Sequence, residues 1–516
     1  MKKTLILGLT ALIALGSSAS AYADNGYNVS RLSGNDRYKT SVNISESFNN
    51  GTIQTVILAN GENFPDALSG SLLSKKYNAP IVLAGLTPST SSDAFEYIKN
   101  HLSKSGTVYV LGGTSSISDD SINYIKQLGY NNVVRLGGQN RFDTSKVILN
   151  DIKVQKGTPV ILANGFGFAD ALSASSIAAI KGYPILMTDS KILPAETKDL
   201  INDIQPSKLY VIGGSGVISD NVVAEAKDTA KSLSSDNVFR IAGNNRYDTS
   251  MNICKYFNLD SDTAVLASGE NFPDALSGSA LAIKSKAPVI LTDGQDISSQ
   301  KSYMSTKNFK NIILLGGAGS IDVVAEYRLK RASDISQQEK DFTKNLLIYC
   351  GNFYNSTESF ATKFSQYGES IQKISANSNS SSIQDAENSL NQILGIFNNM
   401  TLSLNNYKQT LLSMENEVSS MSAPESLNCL KTDLVKNINS QIGNVDKFTS
   451  LVNNYSSLVN SLNNAIKAGD YQKMYGIVAQ IKEANNELSK FNTQNAILNM
   501  NKLSQKIITI KGIMNF

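Results

Sequence analysis

The chain has 516 residues, of which 47 are basic and 44 acidic, so its formal net charge is only +3. This balance argues against a nucleic-acid-binding protein, which would need a basic face. A single histidine, His101, and three cysteines supply no motif for a metal site, a cysteine–histidine pair or a disulfide framework. We therefore expect no metal, no cofactor and no catalytic residue.

The first 23 residues have the pattern of an export signal. Lys2 and Lys3 precede an apolar stretch from Leu5 to Leu15, and Ala21-Tyr22-Ala23 forms a small-residue cleavage site. The apolar stretch is too short to span a bilayer comfortably, and the sequence shows no second such segment. We expect a secreted protein that leaves the membrane when residues 1–23 are removed, the alternative being an uncleaved anchor.

One block of sequence is then repeated three times. The string RLSGNDRYKTS at Arg31 recurs as RLGGQNRFDTS at Arg135 and RIAGNNRYDTS at Arg240, with spacings of 104 and 105 residues (135 − 31 and 240 − 135). Three further strings, from Ile57, Ala79 and Tyr109 in the first copy, recur in the same order. Period and order together indicate three copies of one domain, predicted at 24–130, 131–234 and 235–325. Tandem copies suit multivalent contact better than a single active site.

Each copy alternates short apolar strands with amphipathic helices. This pattern predicts an α/β module whose parallel sheet is covered on both faces. In the first copy we predict strands at 29–32, 54–59, 80–83 and 108–111, and helices at 38–48, 65–76, 89–102 and 118–128. The third copy is short after Gly317, so we expect its last elements to be reduced.

The loop after the second strand is a candidate binding site, because ligands of parallel sheets bind beyond the carboxyl ends of the strands. It runs from Asn60 to Asp66 and recurs at Asn164–Asp170 and Ser268–Asp274. It could cradle an anion or sugar hydroxyls at the positive end of the following helix. It could equally be a capped turn that each copy needs in order to fold. The candidates in this loop are Asn60, Asn164 and Ser268.

Two arginines recur in every copy and pose a similar choice. Their guanidinium groups suit phosphate or carboxylate ligands. They could also pair with the repeated acids Asp66, Asp170 and Asp274, and structural pairing is the interpretation that we favour. The candidates for polymer contact are Arg37, Arg141 and Arg246, and their companions are Arg31, Arg135 and Arg240.

A PILLT-like string follows the second helix of each copy. With the other recurring strings, over residues 29–325, it makes the chain resemble the clostridial cell wall binding repeat 2 family. The string comprises Pro80, Ile81, Val82, Leu83 and Ala84 in the first copy, Pro184, Ile185, Leu186, Met187 and Thr188 in the second, and Pro288, Val289, Ile290, Leu291 and Thr292 in the third.

The resemblance implies a pseudo-threefold unit that holds a surface protein non-covalently on the cell wall. It also implies that the partner is an anionic cell-wall polysaccharide and that the PILLT-like string takes part in attachment. Other surface-layer proteins are further candidate partners. Ala84 departs from the threonine that the family favours. Since a mostly apolar strand is an unusual sugar ligand, the string could instead act by holding the fold and the adjoining loops in place.

Residues 326–516 have a different composition, rich in asparagine and serine. From Ile383 to Met421 apolar residues recur at alternating steps of three and four, and similar seams run on either side. Breaks at 376–382, 422–424 and 468–470 separate four predicted helices, the last from Tyr471 to Ile510. Short connections favour an antiparallel, up-and-down bundle.

The leading hypothesis is a secreted, non-enzymatic surface protein at the cell wall, with the helical region displayed outward as an adhesive or structural rod. A rival hypothesis is a cell-wall-modifying enzyme whose activity lies in the C-terminal region. A third makes that region an oligomerisation or partner-binding rod.

Overall fold

The computed structural model describes residues 26–377, 382–490 and 494–515. The predicted export signal, residues 1–23, lies outside the described residues. The chain divides into two compact units, one within residues 24–334 and one within 335–516. Each unit is described by itself.

The first repeat has the predicted alternation of strand and helix. Capping side chains explain where its helices begin: Asp36 accepts a hydrogen bond from the amide of Lys39 at 2.8 Å, and Ser118 caps the last helix. The elements are β1 (Asn28–Leu32), α1 (Arg37–Phe48), β2 (Ile53–Asn60), α2 (Pro65–Tyr77), β3 (Ile81–Ala84), α3 (Ser92–His101), β4 (Leu102–Leu111) and α4 (Asp119–Gln127).

The second and third repeats follow the same order. The second contains β5 (Asn132–Leu136), α5 (Arg141–Ile152), β6 (Val160–Asn164), α6 (Phe168–Lys181), β7 (Ile185–Thr188), α7 (Ala195–Ile204), β8 (Leu209–Ile212) and α8 (Asp220–Thr229). The third contains β9 (Val238–Ile241), α9 (Arg246–Phe257), β10 (Thr263–Ser268), α10 (Pro273–Lys284), β11 (Val289–Thr292), α11 (Ser298–Met304), β12 (Asn311–Leu315) and α12 (Val323–Leu329). The last helix of the third repeat has 7 residues, against 9 and 10 in the other two.

Within the described residues, twelve strands form three parallel four-stranded sheets, which confirms the predicted α/β class. The strand orders are β3-β2-β4-β5, β7-β6-β8-β9 and β11-β10-β12-β1. The first strand of every repeat therefore lies in the sheet of the preceding repeat, and β1 closes the third sheet. The predicted boundaries at 130/131 and 234/235 separate the repeats of sequence, but each sheet is formed by strands from two repeats.

Helices interlock the repeats in the same cyclic way. The central helices α2, α6 and α10 pack against one another, and we call the line between them the axis. The first helix of each repeat packs on the axis helix of the preceding repeat: α5 on α2, α9 on α6 and α1 on α10. The three repeats thus share one interior around a pseudo-threefold axis.

The second unit consists of long helices, as predicted. They are α13 (Gln337–Asn377), α14 (Ile383–Ser420), α15 (Asn428–Lys467), α16 (Tyr471–Lys490) and α17 (Gln494–Met514). The single helix predicted from Tyr471 to Ile510 corresponds to α16 and α17, and residues 491–493 between them lie outside the described residues.

Hydrogen bonds between α14 and α15 have an antiparallel register. Asn463 donates to Asn391, while Lys408 contacts Asp446 at 2.6 Å. As the residue number rises on one helix, it falls on the other. Within the described part of the chain, no helix is long and apolar enough to cross a membrane.

Candidate functional site

A cluster of aromatic rings lies on the axis at the carboxyl ends of the central strands. Phe64, Phe168 and Phe272 stand at the starts of α2, α6 and α10, and their ring centroids are 5.8–5.9 Å apart in every pair. All three side chains are half-buried, so the cluster reaches solvent. The strand-to-helix loops surround it, and we call this surface the axis face.

The loop residues Asn60, Asn164 and Ser268 are buried and hold the loops in shape. The Asn164 side chain donates to the carbonyl of Val217 at 2.7 Å and accepts from the amide of Phe166 at 2.7 Å. Asn60 makes the equivalent bonds, and the Ser268 hydroxyl accepts from the amide of Glu270 at 3.1 Å. These polar atoms are engaged inside the protein, which matches the alternative of a folded turn.

Arg37, Arg141 and Arg246 are half-buried and line the axis face. Each donates a hydrogen bond from its guanidinium group to the carbonyl of a loop glycine in its own repeat, namely Gly61, Gly165 and Gly269. The guanidinium of Arg141 lies 5.9 Å from the ring centroid of Phe64, and that of Arg246 lies 5.6 Å from Phe168. Arg141 and Arg246 therefore link the second and third loops to the aromatic ring of the preceding repeat.

The repeated aspartates lie beside the arginines of the following repeat. Burial raises the pKa of Asp66, Asp170 and Asp274 above the ordinary 3.8, and the nearby positive charge opposes that shift. That charge comes from Arg141 for Asp66, Arg246 for Asp170 and Arg37 for Asp274. The charges of neighbouring repeats therefore act on each other, and the structural pairing of arginine and aspartate stays a prediction.

The companion arginines bind the turns that follow β4, β8 and β12, which we call the Gly-Gly turns after their sequences Gly112-Gly113, Gly213-Gly214 and Gly316-Gly317. Arg135 donates to the carbonyls of Gly112 and Gly113 at 2.9 and 3.0 Å, and Arg240 donates to Gly213 at 2.8 Å. Arg31 donates to Gly316 at 2.8 Å across the closure of the third sheet. Their role in the structure is to hold strands together.

The PILLT-like strings form β3, β7 and β11, together with the proline before each strand. Every residue in these strings is buried. In β7, Ile185 packs into the core around the axis, whereas Leu186 packs into a second core with side chains of the outer helices α7 and α8. The strands meet the loops through backbone bonds such as that from Gly165 to the Thr188 carbonyl at 2.8 Å. Burial favours the positioning role over direct contact.

The three loops carry two different sets of side chains. In the first, Glu62 accepts from the Tyr38 hydroxyl at 2.8 Å and contacts Arg37 at 3.2 Å. Burial, followed by the hydrogen bond to Glu62, raises the pKa of Tyr38 to about 12. In the third, Tyr247 donates to Glu270.

The second loop replaces both partners by phenylalanine. Phe142 and Phe166 contact each other edge to face, with ring centroids 5.9 Å apart. The Arg141 guanidinium lies 4.4 Å from the centroid of Phe166.

Sequence reasoning did not identify the phenylalanine cluster. The signal was present, because Phe64, Phe168 and Phe272 occupy the same position in the second recurring string. Their meeting point depends on how the repeats are arranged in space, which a repeat period does not specify. Three interlocked α/β repeats that present arginine and aromatic side chains on one shared face define a binding module built by repetition.

Comparison with known proteins agrees with this description. Residues 31–122, 135–223 and 240–324 match the family described as cell wall binding domain 2 (CWB2), and together they make up just over half of the chain. The chain belongs to this family. Its repeats are therefore cell wall binding domains, and the protein is associated with the cell wall.

Two curated relatives come from Bacillus subtilis (strain 168). The N-acetylmuramoyl-L-alanine amidase LytC is 32% identical over 60% of this chain and 59% of its own length. The amidase enhancer is 32% identical over 61% of this chain and 42% of its own. The chain thus spans about half the length of these relatives.

Two solved structures from Clostridium difficile share the fold. Cwp6 has a TM-score of 0.53 and 28% identity, covering 59% of this chain and 48% of its own. Cwp8 has a TM-score of 0.51 and 28% identity, covering 56% and 49%.

Proposed function

We propose that the three repeats anchor the protein non-covalently to an anionic cell-wall polysaccharide through the axis face. The observation that carries this proposal is the convergence of three arginines and three phenylalanines at one solvent-facing point. Guanidinium groups are suited to phosphate and carboxylate oxygens, and aromatic rings offer apolar surface to a sugar ring.

The helix ends add to the attraction for an anion. The axis helices α2, α6 and α10 begin at this face with Pro65, Phe168 and Pro273. A helix N-terminus carries roughly half a positive charge, which favours a bound anion. The carboxylates of the repeated aspartates lie behind the loops and oppose this field, so the half-buried arginines have to supply the contact.

The helical unit is proposed to have an adhesive or structural role rather than a catalytic one, with other surface-layer proteins as its partners. Its interior is closed by packed side chains: the Tyr407 hydroxyl lies 2.7 Å from that of Thr357 and accepts from Gln441 at 3.3 Å. Phe360 stacks on the Tyr407 ring at 4.4 Å. This packing supports a structural role for the helices that contribute it.

Binding to isolated cell walls tests the anchoring role. A protein comprising residues 24–516 should sediment with walls that retain their anionic polymers and not with walls from which these have been extracted. Arg37→Gln/Arg141→Gln/Arg246→Gln should lose most of this binding, and high salt should release the wild type.

The matched control removes the same charge from exposed lysines: Lys126→Gln/Lys231→Gln/Lys310→Gln. We expect it to bind as the wild type does. Equal binding to extracted and intact walls, or equal loss in both variants, would refute the proposal.

A further inference from the structure

The second repeat differs from its neighbours at the axis face in two positions that touch each other. Where the first and third repeats have Tyr38 with Glu62 and Tyr247 with Glu270, the second has Phe142 with Phe166. Both members of a hydrogen-bonded pair are replaced together, and so the second loop has lost its exposed carboxylate.

This replacement changes the charge beside the arginine. Arg37 shares its loop with Glu62, which it contacts at 3.2 Å, and the third loop likewise carries Glu270. Within the described part of the chain, Arg141 makes no ion pair of this kind; in its loop it donates to the Gly165 carbonyl and lies beside the ring of Phe166. An anion that approaches the second loop therefore meets a guanidinium without the repulsion of an adjacent glutamate.

The phenylalanine pair does not simply replace a polar contact by buried apolar packing. Phe166 is 58% exposed, so most of its surface lies in water. Burial would be the stabilising arrangement for a ring with only a packing role. Instead, Phe166 presents an aromatic surface to solvent beside the Arg141 guanidinium, which lies 4.4 Å from its centroid.

We propose that the second repeat provides the principal ligand contact of the axis face, with Arg141 and Phe166 together binding one negatively charged sugar residue of the polymer. Arg141 takes a phosphate or carboxylate oxygen, and Phe166 packs against the apolar face of the sugar ring. This inference rests on the proposed anchoring function. It assigns the first and third repeats a mainly architectural role at this face.

The chain supplies its own test, because the two side-chain pairs can be exchanged between equivalent positions. Phe142→Tyr/Phe166→Glu gives the second loop the pair of its neighbours. Tyr247→Phe/Glu270→Phe gives the third loop the pair of the second. Both pairs already occur in this fold, and circular dichroism and thermal unfolding would verify that each variant is folded.

Affinity for a purified anionic wall polysaccharide would be measured by calorimetry, with neutral dextran as the control. We expect the first exchange to weaken binding about tenfold or more, through the lost aromatic contact and the new carboxylate. The second exchange should leave affinity unchanged or increase it. If the wild type binds and both exchanges leave affinity unchanged, the inference fails while the anchoring function stands. If the wild type does not bind, both fail.

A fluorescence readout locates the contact independently. The chain contains no tryptophan, so Phe166→Trp introduces a single reporter. Its emission should change when the anionic polysaccharide is added and not when dextran is added. Tyr124→Trp, an exposed reporter on α4, should respond to neither. A response at residue 124 equal to that at residue 166, or none at 166 under conditions where calorimetry shows binding, would overturn the assignment.

Discussion

At the scale of single residues, burying a carboxyl group near the axis face affects the stability of the fold, and Asp170 is the example. Its carboxyl group stands at the start of α6 behind the second Gly-Gly turn, where a Cβ added at Gly213 would come within 2.7 Å of its Oδ2 atom. Burial raises the pKa of Asp170 above 3.8, and the positive charge of Arg246 acts in the opposite direction. Asp66 and Asp274 have in addition serine hydroxyl donors, Ser116 and Ser320.

We predict that Asp170 makes the first unit less stable as the pH rises. Since its folded pKa lies above the unfolded value, its contribution is fully present below about pH 3.8 and is lost as the pH rises through the folded pKa. Asp170→Asn removes this titration. Relative to the variant, the wild type should lose free energy of unfolding between pH 4 and pH 7, measured by urea denaturation in steps of pH.

The control for this measurement is Asp199→Asn, which removes an exposed carboxylate in the same repeat. Its difference from the wild type should not follow the same pH course. A difference between wild type and Asp170→Asn that stays constant with pH, or that changes in the opposite direction, would contradict the assignment.

At the scale of elements, the PILLT-like strands are central to the fold because both of their faces are buried. In β7, Ile185 faces the axis core while Leu186 faces the core beneath the outer helices, where Leu200 and Ile201 also lie. A strand of this kind connects the two cores of its repeat. Its influence on binding would then pass through the loop it supports rather than through its own side chains.

We predict that Leu186→Ala lowers stability without lowering the affinity of the folded protein for the wall polymer. The deleted methyl groups face the outer core, so the free energy of unfolding should fall by about 2–5 kcal/mol. Stability would be measured by urea denaturation, and affinity by calorimetry well below the unfolding temperature.

The comparison variant is Ile192→Ala, which truncates a side chain that is 68% exposed in the same repeat and should cost little. Reduced affinity of Leu186→Ala with stability unchanged would instead show that the strand contacts the ligand directly.

The elements themselves were predictable because their signals are local. Pro65 at the first position of α2 and the caps Asp36 and Ser118 mark helix starts, and continuous apolar runs mark buried parallel strands. What a local signal cannot give is the partner of an edge strand. β5 follows α4 after a short connection and pairs with β4 of the preceding repeat. Its sequence does not indicate this pairing over one with strands of its own repeat.

The candidate site was predictable to a similar degree. The recurring strings located the loops and the arginines, but they also led to the buried strands and to Asn60 and Asn164, whose polar atoms hold the backbone. Repetition marks what every copy needs for folding as strongly as what it needs for binding. The contact between Phe166 and Arg141 depends on a residue that differs between the repeats, because the other two have Glu62 and Glu270 in place of Phe166. A search for recurring residues therefore does not find it.

At the scale of the whole molecule, the chain closes the first unit on itself. β1 pairs with β12, and Leu32 lies opposite Leu315 in the register of the third sheet. Arg31 completes this closure: its Nε atom lies 2.8 Å from the Oε2 atom of Glu326, 295 residues further along the chain. The equivalent arginines bind acids much nearer in sequence, Arg135 with Asp119 and Arg240 with Asp220.

We predict that Arg31, Arg135 and Arg240 contribute very unequally to the free energy of unfolding. The Glu326 side chain is only 4% exposed, whereas those of Asp119 and Asp220 are 70% and 82% exposed. Arg31→Gln leaves a buried carboxylate with Lys330 at 3.7 Å as its remaining ion-pair partner, so unfolding should become easier by about 3–5 kcal/mol. The exposed ion pairs of Arg135 and Arg240 contribute about 1 kcal/mol or less.

Urea denaturation of the three glutamine variants would rank these costs, and hydrogen exchange would locate them. In Arg31→Gln the backbone amides of β12 should lose protection, while those of β4 and β8 should keep it, because only the third sheet depends on a strand from the opposite end of the repeat region. Equal costs for the three variants, or lost protection spread over all three sheets, would mean that closure is no weaker than the other two junctions. The predicted inequality follows from the burial of Glu326, whose side chain is 4% exposed. It falls on the junction that brings distant segments together at the larger entropic cost of closing a long loop, whereas the other two junctions join strands that are neighbours in sequence.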